Sequence, residues 1–145
     1  DLLVAWFEKY KVIIDSIGIC YFDAGWYEVA LSDIKNFTRM YSAYTGENIT
    51  PEEMWTRAEW VLNIERAFNT LHAGFSRKDD YLPNRIMEEP LNVGPFKGEY
   101  MVREKFDEML DEYYEAQGLD KKTGLQTREQ LADLGMDFLV DYLGL

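Results

Sequence analysis

The tightest constraint on the fold lies between Thr50 and Gly74. Thr50 offers a side-chain oxygen to the unpartnered amides of a helix start. Pro51 suits the first helical position, where its missing N–H has no partner to lose. Glu52 and Glu53 then put negative charge at the positive end of the helix dipole. Trp55, Ala58, Val61, Leu62, Ile64, Phe68 and Leu71 follow at helical spacing as far as His72, and Gly74 supplies a left-handed stop. A helix of this length needs other elements laid against it. No stretch elsewhere reads as a strand, so the sequence specifies an all-α chain, an irregular multi-helix bundle.

Four further helical segments are legible. Leu2 to Ile14 carries apolar residues at 2, 3, 6, 7, 10, 13 and 14, and Gly18 ends it, which makes residues 15–20 a turn. Tyr21 to Trp26 reads as a short aromatic loop. A second helix, starting near Glu28, turns Val29, Ile34, Phe37, Met40 and Tyr41 inward before Thr45-Gly46. A third long helix spans Met101 to Ala116, with Met101, Phe106, Met109, Leu110, Tyr113 and Tyr114 inward, and stops at Gly118. Thr127 caps a short helix from Arg128 to Leu134, and Phe138 to Leu143 adds a final turn or two. Between Phe75 and Glu99 the periodicity lapses under Pro83, Pro90, Gly94, Pro95 and Gly98. Leu82, Ile86, Met87, Leu91 and Phe96 still call for burial there, so this stretch, about 75–100, reads as one long ordered loop.

A length of 145 residues with 47% hydrophobic and 15% aromatic content suffices for one sizeable core, hence a single all-α domain over 1–145. A net charge of −12 repels phosphate backbones and anionic lipid, which argues against nucleic acid or a membrane as direct partner. No apolar run reaches the length of a membrane span. One cysteine excludes an internal disulfide framework and fits a reducing, cytoplasmic setting. The chain opens at Asp1, already inside an amphipathic pattern, and so reads as a piece of a longer polypeptide.

Self-contained catalytic sites are not apparent. His72, the sole histidine, falls at a helix C-terminus, where the dipole favours it, with no second metal-ligating residue at helical spacing. Neither a nucleophile elbow nor a glycine-rich phosphate cradle is present. Asp107, Glu108, Asp111, Glu112 and Glu115 read as a solvated helix face. Arg77, Lys78, Asp79, Asp80 and Arg85 cluster within the loop. They suit either an ion-pair lattice or a binding edge, and local evidence favours the lattice, because loop polar groups need internal partners. The turn Asp15-Ser16-Ile17-Gly18-Ile19-Cys20 can set one carboxylate, a few backbone groups and one thiol around a bound molecule, with Gly18 permitting close approach. Taken alone, Cys20 reads as a small buried apolar residue.

Two distant stretches and the tail together carry a family resemblance. Asp15-Ser16-Ile17-Gly18-Ile19-Cys20 resembles the Asp-x-x-Gly-Leu-Cys motif of the tungsten-containing aldehyde ferredoxin oxidoreductases, with Ile19 in place of the usual Leu. Asn63 to Asn69, then Gly74 to Asp80 and Leu82-Pro83-x-Arg85, are similar to the signature of that family's C-terminal helical part. So are Asp111 to Asp120, Thr123 to Thr127 and Leu131 to Gly135. The resemblance implies the C-terminal helical portion of an enzyme that oxidises aldehydes to carboxylic acids and passes electrons to ferredoxin. It implies a tungsten or molybdenum bis-molybdopterin and a 4Fe–4S cluster in the intact enzyme, and none bound to this portion alone. Carried over, Asp15 accepts hydrogen bonds from pterin N–H groups, Gly18 and Ile19 border the pterin, and Cys20 is the fourth cluster ligand. No catalytic residue is expected within the portion itself. Arg77, Lys78, Asp79 and Asp80 would border the cofactor or substrate channel, or buttress it. Two other readings remain: the pterin-bearing subunit of an aromatic acyl-CoA reductase of the same superfamily, and a non-catalytic helical interaction module.

Overall fold

The computed structural model describes residues 2–25 and 33–145. Its elements are α1 (Leu2–Ile17), α2 (Tyr21–Gly25), α3 (Ile34–Thr45), α4 (Pro51–Ala73), a 3-10 turn (Arg77–Asp79), α5 (Asn84–Glu88), α6 (Arg103–Gln117), α7 (Arg128–Asp133) and α8 (Phe138–Leu143). Among the described residues there is no strand, only an isolated bridge between Leu119 and Gln126. The fold is all-α.

The start of α4 follows its capping chemistry. Thr50 Oγ1 accepts from the Glu53 amide at 3.2 Å, and the Glu53 carboxylate accepts from the Thr50 amide at 2.6 Å, a reciprocal pair that satisfies two end groups at once. The helix then serves two cores. Its first half buries Met54 and Ala58 against Tyr10, Ile13 and Ile14 of α1, Ala24 of α2 and Phe37 of α3. Its second half buries Ala67 against Leu131, Met136, Leu139 and Val140 of the C-terminal turns. α1 lies against both α4 and α6, so the N-terminal helix is held from two sides.

The expected boundaries shift where backbone geometry overrides periodicity. α1 continues to Ile17, placing Asp15, Ser16 and Ile17 in its last turn rather than beyond it. Gly18, at φ +75°, closes it with paired reverse bonds from the Ile19 amide to the Ile14 carbonyl, 3.1 Å, and from the Gly18 amide to the Asp15 carbonyl, 3.3 Å. Tyr21 onward is the short helix α2 instead of an aromatic loop. Trp26, Glu28 and Val29, with the helix start expected near Glu28, lie outside the described residues. α3 begins at Ile34, its Asp33 cap accepting from the Lys35 amide at 3.0 Å.

Burial departs further from the periodic reading. On α1 only Ala5, Tyr10, Ile13 and Ile14 are buried, while Leu2, Leu3, Trp6 and Phe7 are exposed; on α4, Ile64, Phe68 and Leu71 are exposed too. Met40 of α3 and Met109 of α6 also reach solvent. In the long loop only Met87 is buried, and Ile86, Leu91 and Phe96 are exposed. The loop is ordered by its backbone instead. The Leu91 amide reaches the Glu99 carbonyl at 2.9 Å and the Gly98 amide the Leu91 carbonyl at 2.8 Å, so the turn closes on itself without needing its side chains in a core.

Candidate functional site

Asp15 and Cys20 stand on either side of the Gly18 turn, and the core beneath explains why they are held there. Tyr10, buried in α1, donates its hydroxyl to the Ala24 carbonyl at 2.8 Å and so ties α2 onto α1. Ile19 and Tyr21 pack against the same core, which leaves Cys20 between them exposed. The expectation of a buried thiol is thereby corrected: neighbours on both sides take the inward positions. The Cys20 carbonyl accepts from the Asp23 and Ala24 amides at 3.1 and 3.0 Å, so its backbone starts α2 while its sulfur faces outward. A Cβ built on Gly18 would meet nothing within 4 Å, leaving the turn open to an approaching molecule.

Asp15 is exposed and lines a cleft of about 680 Å³ between α1 and α4, with Leu3, Val4, Phe7, Val12 and Leu62 as its apolar wall and Glu8, Lys11, Tyr21 and Glu65 around it. That volume is in the range of small-molecule sites. Lys11, one turn before Asp15, reaches both of its carboxylate oxygens, Oδ2 at 2.5 Å. Nearby, Glu8 accepts from the Tyr113 hydroxyl at 2.7 Å and from Gln117 at 3.0 Å. Burial and then the Glu8 charge push the Tyr113 phenol well above its ordinary range, so it stays a donor. Among the described residues no group of three or more His, Cys, Asp or Glu side chains could hold a metal ion.

The mixed-charge loop is a lattice. Arg66 donates to both oxygens of Asp80 at 2.8 and 2.6 Å and to the Gly124 carbonyl at 3.0 Å, and Tyr114, fully buried, donates to the same Asp80 at 2.6 Å. Burial works against the Arg66 cation, and the hydrogen bonds and charge of Asp80 overcome it, so its pKa lies above the usual guanidinium value. Arg77 bridges Asp111 at 2.5 Å, the Lys121 carbonyl at 2.6 Å and Asp107 at 3.1 Å, while Tyr81 donates to Asp107. Those Tyr81 and Arg77 hydrogen bonds lower the Asp107 pKa. Asp107 and Asp111 therefore belong to the lattice and not to a purely solvated face. Asp79 accepts from the Ser76 amide at 2.9 Å, whereas Lys78 is exposed. Periodicity pointed to neither Arg66 nor Glu8, because each contacts residues far away in the chain. His72 sits in the last turn of α4 as expected, exposed, its ring 4.4 Å from that of Phe68.

A family profile described as "Aldehyde ferredoxin oxidoreductase, domains 2 & 3" matches residues 2–136, a span that contains the Gly18 turn and the Arg66–Asp80 lattice. The chain belongs to the aldehyde ferredoxin oxidoreductase family. It is 35% identical over 136 residues to the tungsten-containing aldehyde ferredoxin oxidoreductase of Pyrococcus horikoshii, covering 93% of this chain and 21% of that protein. The enzymes of the same name from Pyrococcus furiosus and Thermococcus kodakarensis are 36% and 35% identical over 131 residues, covering 90% of this chain and 20% of each relative. The chain thus spans about a fifth of the length of the curated relatives it matches. As an aldehyde ferredoxin oxidoreductase segment, it has no helix among the described residues long and apolar enough to cross a membrane.

Proposed function

We propose that the chain is the C-terminal helical portion, acting as one all-α unit, of a tungsten or molybdenum bis-pterin enzyme that oxidises aldehydes to carboxylic acids and reduces ferredoxin. The observation that carries this reading is the pair Asp15 and Cys20, both exposed on one open turn, with Asp15 on a cleft of ligand size. These residues fit the cofactors. A carboxylate accepts two N–H donors at once, which suits the N–H edge of a pterin. Gly18 leaves its backbone approachable, and Ile19 seats the turn on the core. An exposed thiol can ligate iron, and since a cubane takes four protein ligands and this sequence has one cysteine, the other three come from outside these residues.

When bound, the metal pterin would supply the two-electron oxidation and the cluster the onward single-electron path. This segment's part is to present one wall: Asp15 orients the pterin, Cys20 ties the cluster beside it, and the Arg66–Asp80 lattice holds α4, α6 and the loop in register behind them. The segment alone would be inactive. The test is the full-length protein purified without oxygen. Stoichiometric tungsten or molybdenum and aldehyde-dependent ferredoxin reduction are expected. Reduction of an aromatic acyl-CoA thioester without aldehyde turnover would move the assignment to the reductase branch, and absence of metal and of both activities would leave a helical interaction module.

A further inference from the structure

We infer that Lys11 is a second pterin-binding residue, the cationic arm of the site whose carboxylate arm is Asp15; this rests on the function proposed above. The cleft between α1 and α4 is lined by three carboxylates, Glu8, Asp15 and Glu65, and Lys11 is the one cation lining it among the described residues. A pterin cofactor of the molybdopterin type is anionic through its phosphate. Three carboxylates on a chain of charge −12 repel such a ligand, and the repulsion is strongest in a cleft with apolar walls, where the field is poorly screened. One ammonium in that wall reverses the local sign.

The geometry makes Lys11 available for this. It sits one helical turn before Asp15 and contacts both of its oxygens, so the two side chains form one adjacent donor and acceptor unit on the cleft. Both are largely solvent-exposed, 47% and 60%, and exposed i,i+4 pairs are held by only about 0.3–0.5 kcal/mol, so the contact yields readily to a ligand. A pterin presents the complementary set: N–H donors for the carboxylate and an anionic end for the ammonium. Asp15 and Lys11 then exchange their mutual contact for one contact each with the ligand.

The test uses the full-length enzyme, with pterin retention during dialysis read by the fluorescence of the released, oxidised pterin. Lys11→Gln is expected to speed pterin loss about tenfold, the scale of one charge-assisted hydrogen bond, with helicity unchanged. Lys11→Arg is expected to stay within about twofold of the parent, and added salt should speed loss from the parent more than from Lys11→Gln. Parental retention in Lys11→Gln, or equal loss in Lys11→Arg, overturns the inference. Asp15→Asn separates this from the underlying reading: fast loss there with parental retention in Lys11→Gln removes Lys11 alone, whereas parental retention in both variants removes the pterin from this cleft.

Discussion

Replacing Cys20 by Ala in the full-length enzyme is expected to abolish the visible absorption of the iron–sulfur cluster and all ferredoxin-linked turnover. A cubane deprived of one thiolate has an iron open to water and either disassembles or loses that iron. The fold is not the reason for the loss. Cys20 is exposed, its neighbours Ile19 and Tyr21 carry the packing, and surface replacements of this sort shift stability by no more than about 0.5 kcal/mol. Far-UV circular dichroism and melting temperature should therefore match the parent while iron content falls. Retained cluster absorption with retained ferredoxin reduction would show that the fourth ligand lies elsewhere.

The second large effect concerns Asp80. It accepts from Arg66 twice and from Tyr114 once, with the Arg66 and Asp80 side chains only 15% and 18% exposed. Asp80→Ala leaves a half-buried guanidinium and a buried phenol without their acceptor, and breaking such a pair costs about 3–5 kcal/mol. In a chain of this size that is a fall in melting temperature on the order of 10 °C. Arg66→Met combined with Asp80→Leu removes both charges and should be less damaging than Asp80→Ala alone, because no uncompensated charge remains. Gly124→Ala attacks the same knot from its roof. At φ +69° a Cβ would lie 2.7 Å from Arg66 Nη2 and 2.9 Å from the Tyr114 hydroxyl, so a loss of about 2 kcal/mol or more is expected. A melting temperature for Asp80→Ala within 2 °C of the parent, a margin set by the size scaling of unfolding, would mean that the lattice does not hold the loop.

Much of the helical order could be read from the chain because its signals are local. Thr50, Pro51 and Gly74 bracket α4, Gly46 and Gly118 end α3 and α6 in left-handed geometry, and Thr127 caps α7. Burial was less legible. Leu3, Phe7, Ile64 and Phe68 obey helical spacing yet face solvent, because periodicity locates an apolar stripe without saying what covers it. The Asp15–Cys20 turn could be read as a motif, but the extension of α1 to Ile17 and the outward thiol depend on the Gly18 closure and on Tyr10 reaching Ala24, contacts between distant positions. The lattice was anticipated around Arg77 to Asp80, but its other half, Arg66, Asp107, Asp111 and Tyr114, comes from helices remote in sequence and emerges only when they pack together.

The most direct measurement of the central claim is alkylation of Cys20 by iodoacetamide, located by mass spectrometry, in the 145-residue chain and in the cluster-loaded full-length enzyme. The thiol is exposed in the chain, so it should react there. In the loaded enzyme it should be protected until a chelator strips the iron, and react once the iron is gone. Equal labelling of Cys20 with the cluster still in place would contradict the account.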